Sequence, residues 1–239
     1  MQIKWYQIKM ILLLGLVTFL CAFASGRNAK RNIVKPKIKF LGENNLFITS
    51  ENVSKLLIQN YVGLENVPKE TLDLNVLENT LKSNAMIKSA EVYLAVNGTL
   101  KANVEQKTPI ARVNTNVSYY IDTDGEYMPL SSNFSARVPF VTGYVEKNNL
   151  KGVHTVAQKV MNDDFLKTHV FEIHQDQNHK LYLKLRQCDF MVKLGDINFI
   201  ERKINNLKAF YKKSSKEKTL NQYSVVNLQF ENQVICTKI

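Results

Sequence analysis

The first residues that could do chemistry are Asp122-Thr123-Asp124-Gly125. They have the acidic side chains that begin a calcium-binding loop. An EF-hand loop also needs a glutamate at its twelfth position, however, and position 133 is Asn. An Asp-Gly pair between short apolar runs is typical of a tight β-hairpin turn. We therefore expect a turn here and no metal site.

Histidines and cysteines form the second group. His169, His174 and His179 follow one another at intervals of five residues, which matches neither ligand step of a helix and alternates faces on a strand. Cys188 and Cys236 lack a neighbouring His and carboxylate in a nucleophile motif. A disulfide between these two cysteines is permitted in an exported domain, and the sequence leaves their pairing open.

Ser, His and Asp are present, but the motifs that assemble them into a catalytic site are not. The nucleophile elbow, the His-Glu-x-x-His zinc motif, the phosphate-binding loop and the dinucleotide fingerprint are all missing from the sequence. We therefore expect a protein that is not an enzyme, with no cofactor and no small-molecule substrate.

Charge and length restrict the partners and the architecture. The chain has 239 residues, enough for one anchor and two modest domains. Without Lys4 and Lys9 the 32 Lys+Arg become 30, against 21 Asp+Glu, so the rest of the chain carries +9. Anionic partners are favoured: membrane surface, cell-wall polymer, nucleic acid or an acidic protein. Nucleic acid is the weakest of these, because no recognition helix, zinc finger or RNP-type motif accompanies the charge.

An apolar segment covers 10–24, interrupted only by Gly15 and Thr18. Its length is marginal for a membrane span, so two interpretations remain open. Ala22-Phe23-Ala24 has the form of a signal-peptidase site, which would make the segment a cleaved signal peptide. Trp5 and Tyr6 suit a membrane interface, which favours an uncleaved anchor.

Basic residues near this segment do not settle its orientation. They are more frequent on its C-terminal side, which by the positive-inside rule alone would place the large domain inside the cell. The cluster after the segment suits lipid headgroups and a soluble linker equally well. It consists of Arg27, Lys30, Arg31, Lys35, Lys37 and Lys39.

A hairpin is the strongest local prediction. Apolar and polar residues alternate over 90–96, Asn97-Gly98 suits a two-residue type I′ turn, and Leu100, Ala102 and Val104 form the returning strand. Two helices precede it. The first is capped by Thr49 or Ser50 and the second by Asp73. Their apolar positions are Val53, Leu56, Leu57 and Tyr61, then Leu74, Leu77 and Leu81. With a short strand at 37–40, the predicted order is β-α-α-β-β.

After Pro109 the pattern changes to short strands interrupted by two helices. The helices are predicted at about 149–165 and 197–212, and three strands between them form a meander at 170–173, 180–185 and 190–194. Val226, Leu228 and Phe230 are predicted to share one face of a strand. A turn at 231–233 then leads to the last strand at 234–236.

Taken together, these features resemble the FtsQ/DivIB family of cell-division proteins. In that family a POTRA module ends in a Val-Glu-x-x-x-Pro-x-Ala run, which here is Val104, Glu105, Pro109 and Ala111. Further similar segments follow in order: YYIDTDGEYMPL with Asp122 and Gly125, VPFVTGY with Pro139 and Gly143, VKLGD with Leu194 and Gly195, and VVNLQFENQVICTK at the end.

The resemblance implies an α+β chain in four parts. These are a cytoplasmic tail over 1–9, a single transmembrane helix over 10–26, a POTRA domain over 36–108, and a mixed β-rich domain with two helices over 109–239. It implies a type II protein of the cell inner membrane, with the bulk of the chain in the periplasm at the division septum. It also favours the anchor over the signal peptide.

The function implied is that of a divisome scaffold, which links early and late cell-division proteins through FtsB-like and FtsL-like partners. Two alternatives come from other classes. A POTRA-containing transport or assembly factor would usually carry several POTRA modules and a barrel. A secreted cell-wall hydrolase would need a nucleophile, metal or carboxylate pair that the sequence does not show.

A terminal strand at a sheet edge is the predicted partner site, because its unpaired N–H and C=O groups can be extended by a second chain. The family's end often reads Asp-x-Arg-Tyr, whereas positions 227–230 are Asn-Leu-Gln-Phe. We therefore expect binding through the main chain and the apolar face of Phe230. In the alternative, Phe230 and Val234 only close the core. The predicted site consists of Val226, Leu228, Gln229, Phe230, Val234, Ile235 and Cys236.

Overall fold

The computed structural model describes residues 5–29, 34–43, 45–59, 72–95, 97–231 and 233–239. Side chains at 7, 27–29, 34 and 35 are outside this description, and with them much of the basic cluster predicted after the apolar segment. The chain divides into two compact units, Met1–Gln106 and Lys107–Ile239.

The N-terminal apolar segment is a single helix, α1, which covers Trp5–Ala29. Residues Ile8–Gly26 within it are long and apolar enough to cross a membrane by length and composition. Its apolar side chains are exposed, as those of a lipid-facing helix would be. The helix fits a single-pass membrane protein.

The first unit continues with the predicted β-α-α-β-β order, which is confirmed. The elements are β1 (Val34–Leu41), α2 (Ser50–Gln59), α3 (Leu74–Lys82), β2 (Ile87–Leu94) and β3 (Thr99–Gln106). They form a three-stranded sheet in the order β1-β3-β2, with β1 parallel and β2 antiparallel to β3.

Local signals explain where these helices begin. The Thr49 hydroxyl accepts a hydrogen bond from Asn52 N at 3.2 Å, and the Asp73 carboxylate accepts one from Asn75 N at 2.9 Å. The two helices pack on the hairpin, with Leu57 and Leu81 fully buried against strand residues that include Val104. Tyr61 and Val96 lie outside the described residues.

The turn at Asn97-Gly98 is longer than the predicted two-residue turn, and the Asp-Gly hairpin has a loop of the same length. In the first hairpin Ala95 N donates to Thr99 O at 2.9 Å, so three residues connect the strands. In the second, Asp122 N donates to Glu126 O at 3.0 Å, and Gly125 adopts φ +81°. This is the three-residue loop with a glycine in the left-handed region. The type I′ assignment was therefore wrong, although the position of each hairpin was right.

The second unit contains one nine-stranded sheet and three helices. Its strands are β4 (Pro109–Asn114), β5 (Ser118–Asp122), β6 (Tyr127–Met128), β7 (Phe140–Gly143), β8 (Val170–Gln175), β9 (Leu181–Leu185), β10 (Met191–Gly195), β11 (Tyr223–Asn227) and β12 (Ile235–Lys238). Their order is β12-β11-β10-β9-β8-β7-β4-β5-β6. The meander β8-β9-β10 is confirmed.

The helices of this unit differ from the prediction. The first predicted helix is two, α4 (Lys151–Met161) and α5 (Asp164–His169). They separate because Asp163 leaves the helical conformation and its carboxylate caps α5 at Leu166 N, 3.1 Å away. The last helix, α6, covers Ile200–Lys216. Apolar residues of α4 and α6 form one core with the sheet.

Candidate partner-binding edge

The C-terminal edge of the sheet is built by a crossover. After β10 the chain runs through α6 and a short 3-10 turn at Leu220–Gln222, then returns as β11, parallel to β10. β12 follows as an antiparallel neighbour of β11 and stands last in the strand order. Among the described strands β12 therefore has a neighbour on one side only, and backbone groups on its other side are available for pairing.

Strand alternation identifies which backbone groups lie on that open side. Leu228 N donates to Lys193 O of β10 at 2.9 Å, so Val225 and Asn227 direct their backbone groups the opposite way, toward β12. Their partners in register are Thr237 and Ile235. Cys236 lies between these two, so its N–H and C=O point away from β11 and toward the open side of the sheet.

Side chains of this edge divide between core and surface. Val226 and Leu228 are fully buried, and Val234 and Cys236 pack against the same core while half-buried. Ile235 keeps 41% of its surface exposed at the beginning of β12. One face of β12 is therefore packed against the core. The exposed side chain of Ile235 lies next to Cys236, whose backbone groups are free to pair with another strand.

Phe230 does not share the face of Val226 and Leu228, so that prediction was wrong. The strand ends at Asn227, whose side-chain oxygen accepts a hydrogen bond from Gln229 N at 3.0 Å and turns the chain. Phe230 is 44% exposed and lies outside the core, whereas Val234 packs against it. The predicted turn at 231–233 includes Asn232, which lies outside the described residues.

A groove of about 160 Å³ lies beside this turn. Gln229 covers Gly195, where an added Cβ would come within 2.5 Å of the Gln229 amide nitrogen. The groove is lined by Asp196, Phe199, Arg202, Lys203, Leu228 and Phe230, among others. Of its lining residues, Leu228, Gln229 and Phe230 were predicted from the sequence. The available signal was Phe199, a large apolar residue directly before a helix, where a polar cap is usual.

Two residues that line the groove, Lys203 and Asp196, form an ion pair. Lys203, only 7% exposed, donates from Nζ to the backbone oxygen of Asp196 at 2.8 Å and to its carboxylate at 3.0 Å. The hydrogen bond from Lys203 lowers the pKa of Asp196, against a partial desolvation that raises it. The turn between β10 and α6 is therefore fixed by a buried charge.

Cys188 and Cys236, which the sequence left open as a disulfide pair, are free thiols. Burial raises the pKa of Cys188, with a further contribution from Asp189, and burial raises the pKa of Cys236. A raised thiol pKa disfavours the thiolate, which is the reactive form. Neither thiol has the environment of a catalytic nucleophile.

The Asp-Gly hairpin is occupied by protein groups. Asp122 Oδ1 accepts hydrogen bonds from Asp124 N at 3.0 Å and Glu126 N at 2.7 Å, and Lys107 Nζ lies 2.9 Å from Oδ2. A lysine thus stands where a calcium ion would need to bind. Each histidine of the spaced set is hydrogen-bonded to a protein group: His169 to the Phe165 carbonyl oxygen, His174 to the Thr142 hydroxyl and His179 to the Gln175 amide. Within the described ranges no His, Cys, Asp and Glu cluster could hold a metal ion.

The fold defines a two-domain α+β protein: a β-α-α-β-β unit of the POTRA type, then a unit whose sheet ends in an open strand. Comparison with known families agrees with it. The POTRA-like domain family matches residues 37–105, and the family described as FtsQ/DivIB, C-terminal related, matches residues 108–237.

The chain therefore belongs to the FtsQ/DivIB family of cell-division proteins. It is similar to the cell division protein FtsQ of Geotalea daltonii (strain DSM 22248 / JCM 15807 / FRC-32), with 26% identity over 180 residues. The aligned part covers 70% of this chain and 64% of that relative.

Proposed function

We propose that this protein is a divisome scaffold that binds FtsB-like and FtsL-like membrane proteins by strand addition at β12. Family membership supports a role in cell division. The single observation that carries the binding mode is the outward direction of the Cys236 backbone groups on the last strand of the sheet. An incoming strand would pair with these groups as β11 pairs with Ile235 and Thr237.

Charge supports an acidic partner segment. The sequence from Lys107 onward contains 19 Lys+Arg and 13 Asp+Glu, a net charge of +6. A positive surface accelerates association with an acidic segment and disfavours basic competitors. The proposed role is binding and needs no catalytic residue.

The proposal also includes a cellular location for the anchor and the two folded units. With α1 as an uncleaved anchor of the inner membrane, the two folded units would lie in the periplasm at the septum. A fluorescent fusion in dividing cells is expected to form a septal band. Even envelope staining through the whole cycle would contradict the scaffold and favour a transport or assembly factor.

The binding mode is tested by Cys236→Pro in the full-length chain, held in detergent or nanodiscs. Proline removes an outward N–H while leaving the pairs of Ile235 and Thr237 with β11 intact, so the fold is expected to persist. Affinity is measured for the purified FtsB-type protein encoded in the same genome. We expect at least a tenfold weaker Kd for a lost backbone hydrogen bond and obstructed pairing.

Cys236→Ala is the matched control, because it removes the same thiol and keeps the N–H. It should bind nearly as the wild type does. A Cys236→Pro protein that folds and binds with unchanged affinity would show that the β12 edge is not the site.

A further inference from the structure

Phe199 adopts a backbone conformation that bulky residues rarely take. Its φ is 55° and its ψ is 31°, in the left-handed region, at the residue where α6 begins. This conformation is unfavourable for a residue with a large side chain. The side chain is also 60% exposed, so burial in the core does not compensate for the strain.

Contacts of Phe199 place its ring at the side of the groove described above. Arg202 Cζ lies 5.3 Å from the ring centroid, within cation–π distance. The same guanidinium lies 3.5 Å from the Glu231 carboxylate, and the Arg202 and Glu231 side chains are 51% and 59% exposed. An exposed ion pair at this distance contributes little, so another carboxylate can replace Glu231.

The strained turn is supported by the ion pair between buried Lys203 and Asp196, whose side chain is half exposed. Asp196 also accepts a hydrogen bond from Asn198 N at 3.1 Å. The same carboxylate therefore binds the backbone just before Phe199 and the Lys203 side chain just after it. Strain that the surroundings maintain at an exposed aromatic residue is a feature of binding sites.

Size and composition of the groove indicate its ligand. At about 160 Å³ it is smaller than the roughly 300–1,000 Å³ typical of small-molecule and cofactor sites. Two exposed aromatic rings, Phe199 and Phe230, line the groove together with Arg202 and resemble the hot spot of a protein interface. The groove also belongs to the segment that joins β11 to β12, beside the Asn227–Ile235 pair at the beginning of the edge strand.

We propose that this groove receives one large apolar side chain of the strand-adding partner, and that an adjacent partner carboxylate binds Arg202 in place of Glu231. The proposal rests on the function proposed above. Phe199 and Arg202 then determine which acidic segments bind, while the β12 backbone accepts any strand. The excess of basic residues in this unit favours the same chemistry.

Phe199→Gly separates binding from folding. Glycine accepts the left-handed conformation, so we expect an unchanged or higher melting temperature. The Kd for the FtsB-type protein of the same genome should weaken at least tenfold, measured with the full-length chain in detergent. Gln187→Gly is the matched control, because Gln187 is exposed and has φ 60°. The Gln187→Gly variant should lose the same kind of backbone strain and keep the wild-type Kd.

Two further variants complete the test. Phe199→Asn also tolerates the left-handed region and replaces the glycine variant if that protein fails to fold. Arg202→Glu should weaken binding more than Arg137→Glu, the same charge change at an exposed arginine outside the groove.

The outcomes are distinguishable from those of the edge experiment. If Cys236→Pro loses binding while both Phe199 variants and Arg202→Glu bind as the wild type does, the groove proposal is overturned and the edge remains. If Cys236→Pro binds normally, strand addition fails and the groove proposal fails with it. Loss of affinity in both sets supports both.

Discussion

Glu78 accepts a hydrogen bond from the backbone N–H of Val92 at 2.9 Å. This N–H lies on the side of β2 that points away from β3, because Ala95 N bonds to Thr99 O and alternation directs Val92 outward. A side chain of α3 therefore covers a donor of an edge strand. The other edge strand, β1, contains Pro36, which has no N–H. Both features are known protections of sheet edges.

Protection of the Val92 amide should depend on Glu78 and on pH. The hydrogen bond from Val92, together with Lys82 at 3.3 Å, lowers the pKa of Glu78 despite a partial desolvation that raises it. A lowered pKa means that the stabilisation is present above the unfolded value of about 4.3 and is lost as pH falls through the folded value. Hydrogen exchange measures this directly.

We expect the Val92 amide to exchange faster in Glu78→Ala than in the wild type at neutral pH. The two proteins should become alike only when the pH has fallen through the folded pKa of Glu78, which lies below the unfolded value of about 4.3. Glu91→Ala, at an exposed glutamate on β2, is the control and should leave the amide unchanged. Equal protection in wild type and Glu78→Ala at neutral pH would show that the carboxylate does not close this edge.

Val92→Asp tests the packing of the hairpin on the two helices. Val92 is 5% exposed in the core of the first unit, so the substitution buries a charge without a partner. We expect this unit to lose several kcal/mol of stability and to become sensitive to proteolysis. Tyr93→Asp changes the neighbouring residue, which is 42% exposed, and should melt close to the wild type. Equal melting of Val92→Asp would mean that the hairpin faces the other way.

Lys107 and Asp122 form a buried ion pair in the second unit, with side chains 11% and 1% exposed. Burial alone would lower the pKa of Lys107, but hydrogen bonds with Glu126 and Asp122 outweigh it, and the pKa is raised. The pair therefore stabilises the fold below the unfolded value of about 10.4, and this is lost as pH rises through the folded value.

Lys107→Met should destabilise the second unit by about 3 kcal/mol, because the Asp122 charge is left buried and unpaired. Adding Asp122→Asn removes that charge and keeps the acceptor for the turn, so the double variant should recover part of the loss. Calorimetry of the full-length chain measures both. A double variant less stable than Lys107→Met would contradict the charge explanation.

The anchor is tested by the N-terminus of the protein isolated from membranes. An uncleaved α1 predicts the sequence that begins at the start of the chain. A mature protein that begins at Ser25, after Ala22-Phe23-Ala24, would make the segment a signal peptide. Recovery in the membrane fraction of a protein that still contains Trp5 and Tyr6 would agree with an uncleaved anchor.

Local chemistry explains why much of the fold was predictable. Thr49 and Asp73 cap helices where the sequence predicted, and Gly42 ends β1. Both hairpins were predicted in place, but the Asn97-Gly98 turn was predicted too short, and side chains stabilise the three-residue loops that form. Asn97 Oδ1 accepts a hydrogen bond from Thr99 N, and Asp122 Oδ1 accepts one from Glu126 N. Such side-chain bonds compete with two-residue turns and are not visible in an Asn-Gly or Asp-Gly pair.

Non-local pairing was beyond prediction. β7 inserts between β4 and β8, parallel to both, and β11 is parallel to β10 after the α6 crossover. Alternation reports which face of a strand is buried, but not which strand lies beside it. For the same reason Phe230 was assigned to a strand that in fact ends at Asn227. The groove of Phe199 and Arg202 depends on this topology, so sequence reasoning missed it.

The Cys236 amide is the most direct reporter of strand addition at β12. In the free protein it points to the open side of the sheet and should exchange rapidly, while the Ile235 and Thr237 amides are directed to β11. Hydrogen exchange is measured on the full-length chain with and without a saturating amount of the FtsB-type protein of the same genome. We predict that the Cys236 amide becomes at least tenfold more protected on binding, as a backbone hydrogen bond to a new strand requires. A saturated complex in which the Cys236 amide exchanges as fast as in the free protein would contradict the account.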